Sequence, residues 1–462
     1  MRALPRRPRS RGRRRLAVTA TATALGLMAA LVTADQAAAD RSPAAVEPAH
    51  QDSSCFWVGP YTHAEDRFNI AYLDTNAAYW TSRYTIPAGA RLTFKGRYPH
   101  ARYQSLNTYD AVAATPSAAL NDTRIQPDPG STNPFLPGAP RTLPHRDWTV
   151  HVSTDRAPDD PSQQAPNTLY GSRNDPAKQV LFYRVYVPDK GRDATGGVGL
   201  PTPELTLADG TVLTGRALCD SLHVPTTPVA PKLRSLSDYL SDRDQPGKPL
   251  GFPARDPLLW RASYNASWNL QCTYYDNCPP NPVRAPGQYS NLDNAYLNGF
   301  ANRALGPVLV LRGRMPTTPR THHRAPFMRP SQLRYWSLCA YEAHTTRVEG
   351  DDSCIDDEQV PADADGDYTL VVSLPRDRPS NASIACGVGW IAWPEKGDGA
   401  GHPDDALLLL RNMMPAQHFT HAVQNTEMPG DEASVMGPYL PTGTYTTPDA
   451  FEADGCSGPH GH

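Results

Sequence analysis

Short runs rich in β-branched and aromatic residues recur along the chain, each bounded by Gly, Pro, Asp or Asn, and such runs are typical of β-strands. The first half contains YWTSRYTI, ARLTFKG, RYQSLNTYD, DWTVHVST, QVLFYRVYVP and PELTLADGTVLTG. In the last of these, Asp209-Gly210 lies between two apolar runs and predicts a tight hairpin. With 48 prolines and 33 glycines among 462 residues, long helices are not expected. The pattern therefore predicts an all-β protein.

The second half repeats the strand pattern of the first. Tyr79–Pro99 aligns without a gap on Tyr296–Pro316, with six of the 21 positions identical. The nonapeptide RYQSLNTYD (Arg102–Asp110) then corresponds to RYWSLCAYE (Arg334–Glu342), WTVHVST to YTLVVSL, and VLFYRVYVP to LLLLRNMMP. Four matches in the same order indicate that one domain has been duplicated.

Each repeat is too long for a solenoid or propeller unit, and a sheet domain of this size must bury one face of each sheet. We therefore predict two tandem jelly-roll-like β-sandwich domains from an internal duplication, with few short helices. The first would span residues 40–224, and the second, with a proline-rich tail, residues 263–456. Residues 225–262 are rich in Pro and Asp and predict a linker. One short helix is expected there, with Leu233, Leu236 and Leu240 on one face.

The N-terminal residues 1–39 have the pattern of an export signal. Eight arginines are followed by the apolar stretch LAVTATATALGLMAALV and by small residues at positions 37–39. This stretch is shorter than the roughly 18 residues of a membrane-spanning helix, so an uncleaved anchor is the lesser alternative to a cleaved signal. RRRLAV also permits the twin-arginine route in place of the general one. We expect a secreted protein with a disordered terminus at residues 457–462.

Removal of this signal changes the charge of the protein. It takes away eight of the 44 basic and one of the 47 acidic residues, which leaves a net charge of −10. An acidic chain without a Lys/Arg tract gives no reason to expect nucleic acid or anionic lipid as a partner. No later stretch is apolar for long enough to span a membrane, so no membrane partner is expected after cleavage. The oligomeric state is left open.

The cysteines also fit an exported protein. All eight lie after the signal: Cys55, Cys219, Cys272, Cys278, Cys339, Cys354, Cys386 and Cys456. An even number in an exported chain predicts four disulfides, whose connectivity the sequence leaves open. Only Cys272 and Cys278 suggest a pairing, around the loop TYYDN. A zinc site is the competing interpretation, but no C-x-x-C pair is present.

Several of these segments resemble known domains. NIAYLDTNAAYWTSRYTIPAGARLTFKGRYPHARYQSLNTYD resembles the first of a pair of bacterial domains of unknown function that usually occur together. RYWSLCAYE, DGDYTLVVSLPRDRP, GVGWIAWP and LLLLRNMMP resemble the second. The resemblance covers most of residues 60–430 and implies tandem jelly rolls. That architecture also resembles the amidases that release asparagine-linked glycans, which implies a glycan or glycoconjugate as substrate.

The repeated nonapeptides carry most of the candidate site. Side chains alternate along an extended strand, so Tyr103 and Tyr109 share one face of the first copy, and Tyr335 and Tyr341 share the same face of the second. This face is either a buried layer whose hydroxyls are hydrogen-bonded or the wall of a polar cleft that binds substrate.

Five further residues are candidates for chemistry. Asp110 and Glu342 end the two nonapeptides and could share acid and base roles across a pseudo-twofold contact, or each could bind the backbone of the next loop. His100 precedes the first nonapeptide, and the near-neutral titration of histidine suits a general base, although a surface loop residue is the simpler interpretation. Arg97 and Arg314, repeated as Gly-Arg, could bind a substrate carboxylate or form internal salt bridges.

Motifs for other chemistry are missing from the sequence. It has no G-x-S-x-G, P-loop, dinucleotide fingerprint or H-E-x-x-H, so neither a cofactor nor a metal is predicted. One hypothesis is a hydrolase or lyase acting on a glycan or glycoconjugate in an inter-domain cleft. The alternative is a non-catalytic binding protein for an envelope carbohydrate or a small molecule. A secreted interaction protein without a small ligand is a third, and whether the protein is an enzyme stays open.

Overall fold

The structure is a computed structural model, and it describes residues 55–456. The predicted signal (1–39) and terminus (457–462) therefore lie outside the described residues. The first half forms ten strands: β1 (Val58–Tyr61), β2 (Ala77–Thr85), β3 (Arg91–Arg97), β4 (Ala101–Asp110), β5 (Pro116–Asn121), β6 (Asp147–Ser153), β7 (Thr168–Tyr170), β8 (Lys178–Pro188), β9 (Thr202–Thr206) and β10 (Val212–Leu213). The first nonapeptide lies entirely on β4.

Two five-stranded sheets result, with the orders β1-β2-β8-β4-β5 and β10-β9-β3-β6-β7. Their facing sides pack into one core, to which β3 contributes Phe94, β6 contributes Trp148 and β4 contributes Leu106. The predicted hairpin is present, because β9 pairs with β10 in antiparallel register. Gly210 in its turn has a φ of +88°, a conformation that glycine adopts without steric cost.

The second half forms nine strands: β11 (Trp260–Ala262), β12 (Asn294–Asn302), β13 (Val308–Arg314), β14 (Tyr335–Tyr341), β15 (Cys354–Asp356), β16 (Asp367–Ser373), β17 (Val388–Ala392), β18 (Asp405–Met413) and β19 (Thr442–Thr446). The sheet orders are β11-β12-β18-β14-β15 and β17-β16-β13-β19. Both halves place one parallel pair at the same position, β6–β7 and β16–β17. The predicted fold class is confirmed.

Two strands of this half lie in segments that looked irregular in sequence. β11 falls at the end of the segment predicted as a linker, and it pairs with β12. β19 falls in the proline-rich tail, and it pairs with β13.

Five short helices accompany the strands: α1 (Gly215–Ser221), α2 (Leu236–Arg243), α3 (Ala266–Tyr274), α4 (Glu432–Met436) and α5 (Pro448–Ala453). The helix predicted in the linker is α2, but the face it turns inward is not the leucine face. Leu236 is 50% exposed, while Tyr239 and Asp242 are buried. The Tyr239 ring packs edge-on against His344, 4.9 Å between centroids, so an aromatic contact docks the helix. Within the described residues, no helix is long and apolar enough to cross a membrane.

A third core lies between the two sandwiches. Phe182 of β8 and Leu409 of β18 belong to it, together with side chains of β4 and β14. Because β4 and β14 also contribute Leu106 and Leu338 to the two sandwich cores, both strands are covered on both faces. Every residue of the two strands is buried. The two large sheets therefore form the inner layers of the molecule.

The eight cysteines form four disulfides, as predicted: Cys55–Cys219, Cys272–Cys278, Cys339–Cys354 and Cys386–Cys456. Each bond joins residues of the same half. The pairing suggested by the loop TYYDN, Cys272–Cys278, is among them.

Candidate functional site

The tyrosines of the two nonapeptides lie in the core between the sandwiches. All four are completely buried: Tyr103, Tyr109, Tyr335 and Tyr341. The Tyr103 hydroxyl donates to Oδ2 of Asp293, 2.6 Å away, and the Tyr335 hydroxyl donates to Oδ2 of Asp74, 2.9 Å away. Each tyrosine therefore binds an acid of the opposite half.

The other two tyrosines follow the same reciprocal pattern. Tyr109 donates to the carbonyl of Ser290 (2.9 Å), and Tyr341 donates to the carbonyl of Leu73 (2.6 Å). Burial raises the pKa of both phenols above the ordinary range. Of the two interpretations left open by the sequence, the structure has the buried layer with hydrogen-bonded hydroxyls. This layer presents no surface to a substrate.

The arginines that begin the nonapeptides form buried ion pairs across the same contact. Arg102 donates to both carboxylate oxygens of Asp357, at 2.7 and 2.8 Å, and also binds Glu358. Arg334 of the second copy donates to Asp122 of the first, 3.1 Å away. The two pairs correspond to each other, because Asp122 accepts from the Gln104 amide of β4 and Asp357 from the equivalent amide of β14. The arginine that begins each nonapeptide therefore joins that half to the other through a buried ion pair.

Asp110 and Glu342 occupy equivalent loops. The Asp110 carbonyl accepts from the Ala114 amide, and the Glu342 carbonyl accepts from the Thr346 amide. Ala114 and Thr346 both have a positive φ, near +60°, so the two loops turn in the same way. No hydrogen bond joins the two acids within the described residues, and their acid and base roles stay a prediction.

The Asp110 carboxylate is occupied by its own loop. It accepts from the amides of Val112 and Ala113 and from the hydroxyl of Ser172, which is 2.6 Å away. These bonds, the Ala113 amide first, hold the pKa of Asp110 well below its usual range. Glu342 accepts from the Thr345 hydroxyl of its loop. The Asp110 carboxylate, held ionised by its bonds, is poorly suited to donate a proton.

Arg97 and Arg314 are repeated for a reason that the sheet register makes clear. Arg97 of β3 lies opposite Asp147 of β6, and Arg314 of β13 lies opposite Asp367 of β16. Both arginines pair with these acids, at 3.3 Å and 2.8 Å. The repeated arginines thus form cross-strand salt bridges on partly exposed surface, and their role in substrate binding stays a prediction.

His100 lies beside a group of arginines. Arg146 Nη1 is 2.7 Å from its Nε2 and 2.9 Å from its Nδ1. Partial burial and the charge of Arg146 lower the pKa of His100 to about 4. The imidazole is therefore neutral at physiological pH, but its low proton affinity does not suit a general base that works near neutrality.

A second polar cluster lies beside α2. His402 is 2.6 Å from Asp398 through Nδ1 and 2.9 Å from Asp244 through Nε2. Asp405 is also close enough to share a metal with Asp398 and His402. Its carboxylate, however, binds Arg243 at 2.7 Å, and Asp398 accepts from two backbone amides. A cation would have to displace these bonds, so the cluster is better explained as the contact that docks α2.

A groove beside α3 is the remaining candidate. Asn265 caps this helix by accepting from the Trp268 amide (2.9 Å), and the Cys272–Cys278 disulfide fixes the chain at its end. The adjoining strand β12 contributes Asn298 and Phe300 to the opposite wall.

The groove combines apolar and polar walls. Leu259, Trp268 and Phe300 form its apolar lining. Its polar lining is Arg255, Arg261, Asn269, Thr273, Asp276 and Asn298. The Arg255 and Asp276 side chains pair with each other at 2.9 Å, whereas Arg261 has no side-chain partner within the described residues. Apolar walls with a few polar groups are the usual lining of small-ligand sites.

Sequence reasoning missed this groove. The cysteines around TYYDN predict only a disulfide, but the longer segment SYNASWNLQCTYYDN is also dense in aromatic and amide side chains. That density was the available signal, but α3 and β12 are brought together only by the fold.

No protein-family model matches the chain, and neither does any curated protein sequence. Among solved structures, an uncharacterized protein from Burkholderia cenocepacia is 13% identical, with 83% of this chain and 79% of that chain covered and a TM-score of 0.45. A protein from Vibrio parahaemolyticus is 12% identical, with 81% of this chain and 90% of that chain covered and a TM-score of 0.37. Neither likeness identifies a function.

Proposed function

We propose that the protein is an exported, non-catalytic binding protein that takes a carbohydrate or a similarly polar small molecule in the groove beside α3. The observation that carries the proposal is the pairing of an apolar wall with amide and guanidinium groups. Sugars offer C–H faces to such walls and hydroxyls to such polar groups. Export is supported by the four disulfides, because disulfides persist in oxidising compartments.

The catalytic alternative, hydrolysis or elimination at a glycan or glycoconjugate, has less support. It requires two acids in different protonation states facing one substrate. Asp110 is instead held ionised by its loop, and both Asp110 and Glu342 are buried. The tyrosines proposed to line the cleft are hydrogen-bonded inside the molecule.

The test is calorimetric titration of oxidised protein with soluble oligosaccharides released from cell envelopes. Arg261→Gln and Asn298→Ala should weaken binding by about tenfold, the usual effect of losing one or two polar contacts to a ligand. Arg312→Gln is the matched control, because Arg312 is an exposed arginine on β13 of the same sandwich. Equal binding by all variants would exclude the groove.

A parallel experiment separates binding from catalysis. Mass spectrometry of the same mixture after incubation would reveal any released product. Release that is lost in folded Asp110→Asn/Glu342→Gln protein would overturn the proposal in favour of a hydrolase or lyase.

A further inference from the structure

His100 is part of a basic cluster in the first sandwich. The cluster contains His100, Arg97, Arg141, Arg146 and Arg192. Arg146 contacts His100 directly, the Arg192 side chain lies against Gly197 beside the glycine that packs on His100, and the charges of all four arginines lower the pKa of His100. The loop after β8 closes over it, because the His100 amide donates to the Gly196 carbonyl (3.1 Å). A Cβ at Gly196 would lie 2.7 Å from the Cβ of Pro99, so only glycine permits this close approach.

Arg146 has no counter-ion although it is almost completely buried. Its exposed fraction is 2%, and no carboxylate lies within 4.0 Å of it in the described residues. Apart from His100, its only partners in residues 55–456 are the carbonyls of Arg141 and Pro99, both at 3.4 Å, and its Nε has none there. Buried charges are normally paired and buried donors are normally hydrogen-bonded. A buried guanidinium without a direct ion pair can stabilise a bound anion, although the charge of Asp189 also acts on Arg146.

The other arginines of the cluster divide into two kinds. Arg141 is paired with buried Asp189, and Arg97 is paired with Asp147. Arg192 is exposed, and no ion pair is formed by it in the described part of the chain.

Asp193, the next residue in the chain, interacts with the charge of Arg192 but forms no direct ion pair with it in the described residues. Its carboxylate accepts from the amides of Thr195 and Gly197 in its own turn. In the described residues, Arg146 and Arg192 therefore form no direct ion pair, and the buried carboxylate of Asp189, whose charge acts on both, is bonded to Arg141.

The duplicated half provides an internal comparison. The paired arginine is repeated, since Arg97–Asp147 corresponds to Arg314–Asp367. The unpaired groups are not, because Gln332 takes the place of His100 and Gly366 takes the place of Arg146. Gln332 is satisfied locally, by the Thr317 amide 2.8 Å away. The unpaired positive charge is therefore no requirement of the fold.

We propose that His100, Arg146 and Arg192 form a binding site for an oxyanion, namely a carboxylate, phosphate or sulfate group. The exposed Arg192 would bind the anion directly, His100 would line the site, and the buried Arg146 would supply positive potential behind it. The net acidic protein would thus hold one local anion site. This inference goes beyond the proposed function, since it concerns a different sandwich and does not depend on the groove beside α3.

The experiment uses sulfate, inorganic phosphate and galacturonate as separate probes at constant ionic strength, with chloride as the reference. Binding should raise the thermal midpoint by mass action. Sulfate, which keeps its charge throughout the titration, should also raise the pKa of His100 in a proton NMR titration, because it offsets the neighbouring arginines. The tightest of the three probes would distinguish a phosphate or sulfate ester from a carboxylate.

Two variants test the assignment. Arg192→Gln should weaken the tightest probe by about tenfold or more, and Arg146→Met should abolish the pKa response of His100. Arg91→Gln is the control, because Arg91 is also exposed but lies at the opposite end of β3 from Arg97. If all probes act like chloride, or if Arg91→Gln weakens them as much as Arg192→Gln, the proposal is wrong. These variants should bind neutral oligosaccharides as tightly as the unmodified protein does. That result would show that the anion site and the groove beside α3 are separate sites.

Discussion

Replacement of Arg102 by methionine should destabilise the whole molecule, because this arginine joins the two sandwiches. Its guanidinium makes two bonds to Asp357, one to Glu358 and one to the Thr321 hydroxyl (3.0 Å). Arg102 and Asp357 have no exposed side-chain surface. Methionine keeps most of the apolar volume, so the principal effect is to leave Asp357 and Glu358 buried without a cation.

The expected cost is about 3–5 kcal/mol in the free energy of unfolding, the range for breaking a buried pair by removing one partner. The uncompensated carboxylates can limit the cost by taking up a proton. Because protonation removes the buried charge, the stability deficit of the variant should shrink as the pH is lowered from 8 towards about 5. Arg102→Met/Asp357→Asn should recover part of the loss at neutral pH, because it removes one buried charge.

The assay is urea unfolding followed by tryptophan fluorescence. The eight tryptophans are distributed over both halves, three in the first and five in the second, so the signal follows unfolding of the whole molecule. Arg97→Met is the control, since Arg97 is 49% exposed in its ion pair and such pairs contribute about 0–1 kcal/mol. If Arg102→Met costs no more than Arg97→Met, or if its cost does not vary with pH, the ion pairs do not hold the halves together.

Three further outcomes are expected. Asp110→Ala and Glu342→Ala should each lower the free energy of urea unfolding by about 1–3 kcal/mol, because the hydrogen-bond donors of their loops lose an acceptor. A folded variant that no longer releases product but keeps its stability would instead indicate catalysis. His100 has its folded pKa lowered from 6.5 to about 4, so stability should be lost as the pH falls through this window, and His100→Gln should flatten that decline in thermal unfolding. Cys55→Ala/Cys219→Ala should lower the free energy of unfolding by about 2–5 kcal/mol, because this disulfide joins residues 164 positions apart and restricts the unfolded chain. A change near zero in calorimetric unfolding would contradict this entropy argument.

Much of the fold could be predicted from the sequence, because strand signals are local. The alternation in RYQSLNTYD, the Asp-Gly turn and the repeat order each need only a few neighbouring residues. Strands β11 and β19 could not be predicted, because they lack such local signals. β11 is three residues long and β19 reads TGTYT, so neither has a hydrophobic pattern of its own, and each exists because a neighbouring strand supplies its hydrogen bonds.

The basic cluster around His100 was harder to predict, because its residues are separated by long stretches of chain. Arg146 is in contact with His100, 46 positions away, and nothing in the local sequence marks it as unpaired. The same holds for the face of α2, where the leucine pattern was outweighed by the contact of Tyr239 with His344. Partners supplied by tertiary structure override local patterns in both cases.

Duplication also changes how repeated residues should be interpreted. A contact between two copies of one domain requires the same groups from both, so selection for that contact keeps Arg102 with Arg334 and Tyr103 with Tyr335. A ligand site makes no such demand, because one copy suffices. Residues present in both halves with equivalent partners are therefore expected to belong to the scaffold, as the paired Arg97 and its counterpart do. Chemistry should be sought where the halves differ, which in the described residues includes the unpaired Arg146 and the groove beside α3.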